Sequence, residues 1–344
     1  MARPLLAPPP SRPVDPGPAP TFSVVIPAYE VADLVGEAVR SALEQTRAPV
    51  EVIVVDDGSP DDVAGALAPY RDRIVLIRQP NQGAGAAKLA GARAASAEFV
   101  AFLDGDDYYL PERLEALAEA GAARPDLDIL LTDAWVEVNG ERARTAYDAT
   151  WAFAVDDQRT EILDRCFVIG HAAARRSALM ALDGLDPETL DDWETWGRLI
   201  LAGARAGLVD EPLSCYRVRR GSASTQRATL CRRGVATLRV LGADEGLSDR
   251  ERAVVDAAAA RWSRMLAIET ARDALERGDR RAAAAALRQV VCDRRQGLRA
   301  RVKALVSMVA PSWAGRVIAR RARTRWVGAA GVHVAGEEID APTG

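Results

Sequence analysis

The chain has 344 residues, 49% hydrophobic and 27% charged, which allows two domains with a sizeable core and excludes global disorder. Its four cysteines form no C-x-x-C pair, which argues against a zinc ribbon or a disulfide scaffold and suits a reducing compartment. His171 and His333 are the only histidines, against chemistry that needs several imidazoles. The net charge of −4 is uneven: ten basic groups and no acidic one fall in 294–325, leaving −14 on the rest, which points away from a nucleic-acid-binding core and towards a tail that meets an anionic surface.

Residues 1–20 hold eight prolines and no apolar h-region, so they read as an extended, disordered leader rather than a signal peptide. Phe22 to Ile26 is the first strand, and Val31, Leu34, Val35, Ala38, Val39 and Ala42 then repeat at helical spacing. Val50 to Val55 is a β-branched run ending in Asp56-Asp57-Gly58-Ser59. Pro60 opens a predicted helix to Tyr70, with Ser59 or Asp61 as its cap. Strands follow at Ile74 to Ile77 and Phe99 to Leu103, with a helix of small residues, Ala84 to Ala95, between them. A helix starts at Pro111, and Ile129 to Val138 is a longer strand closed by the turn pair Asn139-Gly140. The alternation breaks down over 141–224, apart from a helix around Asp191 to Ala204 and a strand around Leu208 to Val218. Helices are predicted at 227–242, 249–277, 280–291, 298–309 and 312–325, and 327–344 as a flexible tail. No run of about eighteen apolar residues is present to span a bilayer.

Strands alternating with helices imply an α/β fold, a mostly parallel sheet flanked by helices, with an α-helical C-terminal extension. Ligands in such sheets sit beyond the carboxyl ends of the strands. Three of those ends carry Tyr29 and Glu30, then Asp56 and Asp57, then Asp104, Asp106 and Asp107, so acidic groups converge on one edge. Two carboxylates on the Asp104-Gly105-Asp106 turn suit a hard divalent cation that shares a phosphate ligand; an acidic loop that is merely solvated gives the same pattern. Asp191-Asp192-Trp193 opens a helix, where acids favour the dipole, and a carboxylate there could also serve as a general base. No glycine-rich loop follows the first strand, which removes a dinucleotide fingerprint, and no P-loop is present.

Six segments in order carry a resemblance: Phe22-Ser-Val-Val-Ile-Pro-Ala-Tyr29, Val54-Val-Asp-Asp-Gly-Ser59, Asn81-Gln-Gly-Ala-Gly-Ala-Ala-Lys88, Phe102-Leu-Asp-Gly-Asp-Asp107, Asp191-Asp192-Trp193 and Tyr216-Arg217 to Ser224. The sequence resembles family 2 glycosyltransferases, inverting enzymes of the GT-A fold, over roughly 21–225. The resemblance implies a GT-A catalytic domain at 21–225 and leaves 226–326 as a helical region outside it. It implies that Pro27, Tyr29 and Glu30 line a nucleobase pocket and that Asp57 accepts from the base. Lys88 would face the nucleotide or diphosphate, and Asp104 the ribose or metal region. Asp106 would be the direct ligand of Mg²⁺ or Mn²⁺, and Asp192 the catalytic base. Arg217, Ser222 and Ser224 would belong to a segment closing over the diphosphate. Arg219 stands where the family commonly has His, which leaves the metal's third protein ligand open.

The implied function is transfer of a sugar from a nucleotide-diphospho-sugar, UDP-linked by preference, to a hydroxyl acceptor on a glycan or lipid-linked carrier. The expected place is the cytoplasm, with 298–326 available for peripheral contact with an anionic membrane. Two rivals stand beside it: a nucleotidyltransferase, whose glycine-rich basic loop is missing, and a non-catalytic sugar-nucleotide-binding or scaffold protein, against which the joint presence of Asp57, Asp106 and Asp192 speaks.

Overall fold

A computed structural model describes residues 4–10, 12, 15–148, 151–219 and 226–292. Their strands are β1 Leu5–Leu6, β2 Phe22–Ala28, β3 Glu51–Asp56, β4 Val75–Arg78, β5 Phe99–Phe102, β6 Tyr108–Tyr109, β7 Ile129–Val138, β8 Glu141–Thr145, β9 Ala173–Arg175 and β10 Ala206–Val218. The helices are α1 Val35–Leu43, α2 Val63–Ala66, α3 Ala84–Ala94, α4 Arg113–Ala123, α5 Gln158–Asp164, α6 Arg176–Leu179, α7 Asp191–Leu201, α8 Arg227–Gly242, α9 Asp249–Glu276 and α10 Arg280–Cys292.

The strands form one sheet in the order β1-β10-β7-β9-β5-β2-β3-β4, with β6 on β10 and β8 on β7. Parallel pairing joins β5, β2, β3 and β4, and joins β7 to β10. β9 is antiparallel to both β5 and β7 and bridges the two parallel blocks, so β2, β3, β4, β5, β7 and β10 all run one way. Their carboxyl ends therefore share an edge.

Alternation along β2 and β3 decides which helix covers which face. Val24, Ile26, Val52 and Val54 join Val35, Ala38, Val39 and Ala42 of α1 and Leu114 and Leu117 of α4 in one core. Each fully buried Val or Leu there contributes about 1.5–3 kcal/mol. On the opposite face α3 lies close, because a Cβ on Gly91 would meet the Val25 and Val55 side chains at 2.3 and 3.2 Å. The Trp196 ring of α7 packs against Phe102 at 6.1 Å between centroids.

Several elements differ from the sequence reading. The helix expected from Pro60 to Tyr70 is only α2, capped by Asp62, whose Oδ1 accepts the Gly65 N–H at 2.8 Å; a 3-10 turn over Ala68–Arg73 follows it. Pro69 has no N–H for a continuing α-helix. The expected caps face elsewhere: Ser59 Oγ accepts the Glu30 N–H at 3.1 Å, and Asp61 Oδ2 accepts the Ala32 N–H at 2.8 Å. The leader is not wholly without structure, since Leu5 and Leu6 pair with Val209 and Leu208, and Arg124 donates to the Pro8 carbonyl at 2.6 Å. The Asn139-Gly140 turn is as predicted, with φ of 53° and 83°, and it joins β7 to β8.

The described residues fall into two compact units. The first ends at Val218; the second takes up from Arg219 and includes the pieces Leu163–Arg165 and Glu188–Leu190. In the second, Ser248 and Glu251 form a capping box that starts α9, and Gly278, at φ 77°, ends the turn before α10. An alanine-rich seam, Ala267, Ala271 and Ala274 against Ala283, Ala286 and Leu287, closes that helical pair. Among the described residues no helix is long and apolar enough to cross a membrane. The expectations for 298–326, 327–344, Ser222 and Ser224 lie outside the described residues.

Candidate functional site

The carboxyl ends of β2 and β3 are tied together. Glu30, at φ 54°, hangs from Ser59 by its backbone N–H, and the ring of Tyr29 is 44% exposed beside it. Pro27 is buried at the end of β2. Asp56 and Asp57 are both buried. Asp56 Oδ1 accepts the Ser59 N–H at 2.8 Å and so shapes the turn, while Oδ2 lies 3.4 Å from Arg78. Asp57 accepts from Gln79 Nε2 at 2.8 Å, from the Gln82 N–H at 3.0 Å and from the Gly83 N–H at 2.7 Å. The resemblance implies a base contact for Asp57; its carboxylate carries three protein donors, which leaves one acceptor site on it. It holds the 79–83 loop and thereby the first residue ahead of α3. Gly58, at φ 71°, permits this, since a Cβ there would stand 2.8 Å from the Asn81 nitrogen.

Lys88 sits five residues beyond Gly83 on α3 and is 7% exposed. Its ammonium lies 2.8 Å from Asp192 Oδ1, 3.3 Å from Asp191 Oδ2 and 3.3 Å from Asp104 Oδ1. Three carboxylates from two elements thus surround one nitrogen. Burial opposes the lysine's charge, yet Asp104, Asp192 and Asp191 hold it well above the usual lysine value. Burial pushes Asp192 up to about 6; Lys88 opposes that shift, and Asp191 and Asp104 add to it.

Glycines set the spacing of this cluster. A Cβ on Gly85 of α3 would meet Asp191 Cβ at 2.7 Å, so α3 lies directly against the start of α7. A Cβ on Gly170 would stand 2.8 Å from Asp192 Oδ2 and 3.5 Å from Asp104 Oδ2. The two carboxylates therefore reach Lys88 through one oxygen and border Gly170 with the other. A Cβ on Gly105 would meet the Pro27 carbonyl at 2.8 Å, which seats the acidic turn on the end of β2.

The far side of that turn is fixed by buried polar groups. Asp107 Oδ2 lies 2.7 Å from His171 Nε2, His171 Nδ1 lies 3.0 Å from Ser214 Oγ, and Asp107 Oδ1 accepts the Arg217 N–H at 2.7 Å. Burial raises Asp107 well above the usual carboxylate range, helped by Asp106 and Asp104, and lowers His171 to about 4. Arg113, 0% exposed, donates to the His171 carbonyl and stacks 4.2 Å over the Tyr109 ring. The Arg217 side chain is 14% exposed. Its guanidinium is held by Glu37 at 2.6 Å, Glu137 at 3.2 Å and the Asp106 carbonyl at 3.2 Å, and it stacks on Tyr108. Arg217, near the end of β10, thus clamps the acidic turn. A cavity of about 170 Å³ lies on the α1 side of that clamp, lined by Glu37, Arg40, Ser41, Glu44, Tyr108, Tyr109 and Pro111, and shares no residue with the Lys88 cluster.

Oxygen donors on one turn fit a hard divalent cation. Asp104 is 29% exposed at its side chain and Asp106 is half-buried on the same turn, whereas both oxygens of Asp107 are already engaged. Asp104, Asp107 and His171 could each bring one ligand atom to within 4.8 Å of the others, but His171 and Asp107 already satisfy one another. The sequence singled out His171, as a sugar contact or a structural histidine, and Asp107, but not Gly170 or the hydrogen-bonded chain that joins His171, Asp107 and Ser214. Neither has a sequence signal: Gly170 stands in a stretch without periodicity, and the three polar residues are far apart in the chain.

Residues 23–182 match glycosyl transferase family 2. The succinoglycan biosynthesis protein ExoO of Rhizobium meliloti is 41% identical over 122 residues, which cover 33% of this chain and 35% of that protein. The chain spans a third or less of the length of the curated relatives Nostoc alr2836, Bacillus subtilis EpsJ and Rickettsia conorii RC0461. Two solved structures share the fold. Staphylococcus aureus TarS 1-349 in complex with UDP-GlcNAc has a TM-score of 0.58 and 18% identity, covering 93% of this chain and 98% of that one. The mannosyltransferase PcManGT of Pyrobaculum calidifontis, in complex with GDP-Man and Mn²⁺, has a TM-score of 0.54 and 19% identity, covering 91% and 92%. The fold is GT-A.

Proposed function

We propose, from the membership of residues 23–182 in glycosyl transferase family 2, that the protein is an inverting glycosyltransferase. It moves a sugar from a nucleotide-diphospho-sugar to a hydroxyl acceptor. The observation that carries this reading is the meeting of Asp104, Asp191 and Asp192 around Lys88 at the carboxyl edge of the sheet. A solvated acidic loop would not bury a lysine among three carboxylates from two separate elements.

Asp192 takes the proton of the acceptor hydroxyl as general base. The hydroxyl oxygen forms the new bond to the anomeric carbon on the face opposite the diphosphate. The old carbon–oxygen bond breaks, and its electron pair leaves with the nucleoside diphosphate. One displacement inverts the centre, so no carboxylate nucleophile is needed. Asp104 and Asp106 are the residues that would hold Mg²⁺ or Mn²⁺, which when bound neutralises the departing diphosphate as a Lewis acid. Exposed Tyr29 and Glu30, with Pro27 beneath, frame the base pocket. Asp57 frames it by fixing the 79–83 loop.

UDP-linked sugars are the preferred donors, supported by the UDP-GlcNAc complex of the TarS structure; the GDP-Man complex of PcManGT makes GDP-linked sugars the second choice. An acceptor in polysaccharide or lipid-linked saccharide synthesis is supported by the succinoglycan biosynthesis relative. The basic stretch 298–326 would let the protein rest on the anionic inner face of a membrane. A panel of UDP- and GDP-sugars with Mn²⁺, read by release of nucleoside diphosphate, tests the activity. Release from at least one donor supports the reading, and release from none contradicts it. Co-sedimentation of the full chain with anionic vesicles tests the membrane contact, and equal behaviour on neutral vesicles rejects it.

A further inference from the structure

We propose that Lys88 is a resident counter-cation that governs how tightly the site takes up a divalent ion. The inference rests on the donor reading above. The carboxylate cluster at the end of β5 and the start of α7 already contains a cation, because the Lys88 ammonium stands within 3.3 Å of Asp104, Asp191 and Asp192. A divalent ion on Asp104 adds two positive charges beside that ammonium and draws on a carboxylate that already neutralises it. Like charges at such separations repel strongly in a partly buried setting.

Lys88 cannot easily move out of the way. Its helix is pressed against α7 at Gly85, and its start is held by Asp57 through Gly83. The ammonium can turn to a different anion only if one arrives nearby, and the diphosphate of a donor is such an anion. Once it arrives, the ammonium is shared with phosphate oxygens and Asp104 is freed for the ion. The ion alone is therefore held weakly, and the lysine makes its uptake depend on the diphosphate. Metal loading and donor loading become one event, reciprocal as all such couplings are.

The test is a titration of the full-length protein with Mn²⁺, following free Mn²⁺ by electron paramagnetic resonance, with and without UDP. K88M should bind Mn²⁺ in the absence of UDP more tightly than wild type by about tenfold or more, and UDP should improve it less. K88R, which keeps the charge, should behave as wild type. K88Q, which keeps a donor to the carboxylates without the charge, is the second neutral variant should K88M fail to fold, and should match K88M. Equal Mn²⁺ affinity of wild type and the neutral variants without UDP overturns the inference and leaves the donor reading standing. Failure of the wild type to bind UDP in any condition overturns the donor reading, and this inference with it.

Discussion

β3 and β5 lie on either side of β2 in one parallel block, and each ends in an acidic turn. The Asp56–Asp57 turn spends its carboxylates on the protein itself: Asp56 on the Ser59 N–H, Asp57 on Gln79, Gln82 and Gly83. At the Asp104–Asp107 turn, Asp107 is used that way, on His171 and the Arg217 N–H. Asp104 instead joins Asp191 and Asp192 around Lys88, bordered by a glycine backbone. Acidity at a strand end thus does not by itself mark a reaction centre; the partners of each oxygen do. Backbone donors indicate a hinge or clamp, whereas a single buried ammonium shared by three carboxylates leaves oxygen atoms available for a substrate and a cation.

The sharpest way to break this contrast is at the first turn. Asp57→Ala leaves the Gln82 N–H and the Gln79 amide without an acceptor, and the Gly83 N–H with only Asn81 Oδ1 at 3.3 Å. It should cost roughly 3 kcal/mol of stability, seen as a lower midpoint in urea. An unchanged midpoint would mean that the carboxylate is not the clamp described. At the second turn, Gly170→Ala should leave stability nearly intact but displace Asp192, whose Oδ2 would stand 2.8 Å from the new Cβ. Turnover should fall about thirtyfold, as expected for a misplaced catalytic group, with KM for the donor less affected. Wild-type kcat would show that the backbone does not position Asp192. The smallest effect is in pH. Asp192 acts ionised and its value is raised to about 6, so turnover should rise with pH up to about 6 and level off above it. Below that value it should fall about tenfold per unit. A profile flat from pH 5 to 8 would assign the proton transfer to another group.

Much of this was legible in the chain. Continuous apolar runs marked β2, β3, β5 and β7, because strands buried on both faces are apolar along most of their length. Pro111 and Gly278 marked helix ends by their own backbone chemistry. What was not legible depends on residues distant in sequence. β9 is Ala-Ala-Arg, with too little side chain to announce a strand, and it exists because β5 and β7 both pair with it. Pro69 cut a helix that apolar spacing favoured. The carboxylates of the site were found as residue types at strand ends. Their partners were not, because those are written in the positions of Gln79, Lys88 and His171 rather than in the acids.

The central claim is that Asp192, held between Lys88 and Gly170, is the base of a glycosyl transfer. The most direct measurement compares full-length wild type with Asp192→Asn for UDP affinity and for nucleoside diphosphate release from the preferred donor. The account predicts equal affinity and a loss of turnover of about 10²–10⁴-fold. Release by Asp192→Asn at the wild-type rate would contradict it.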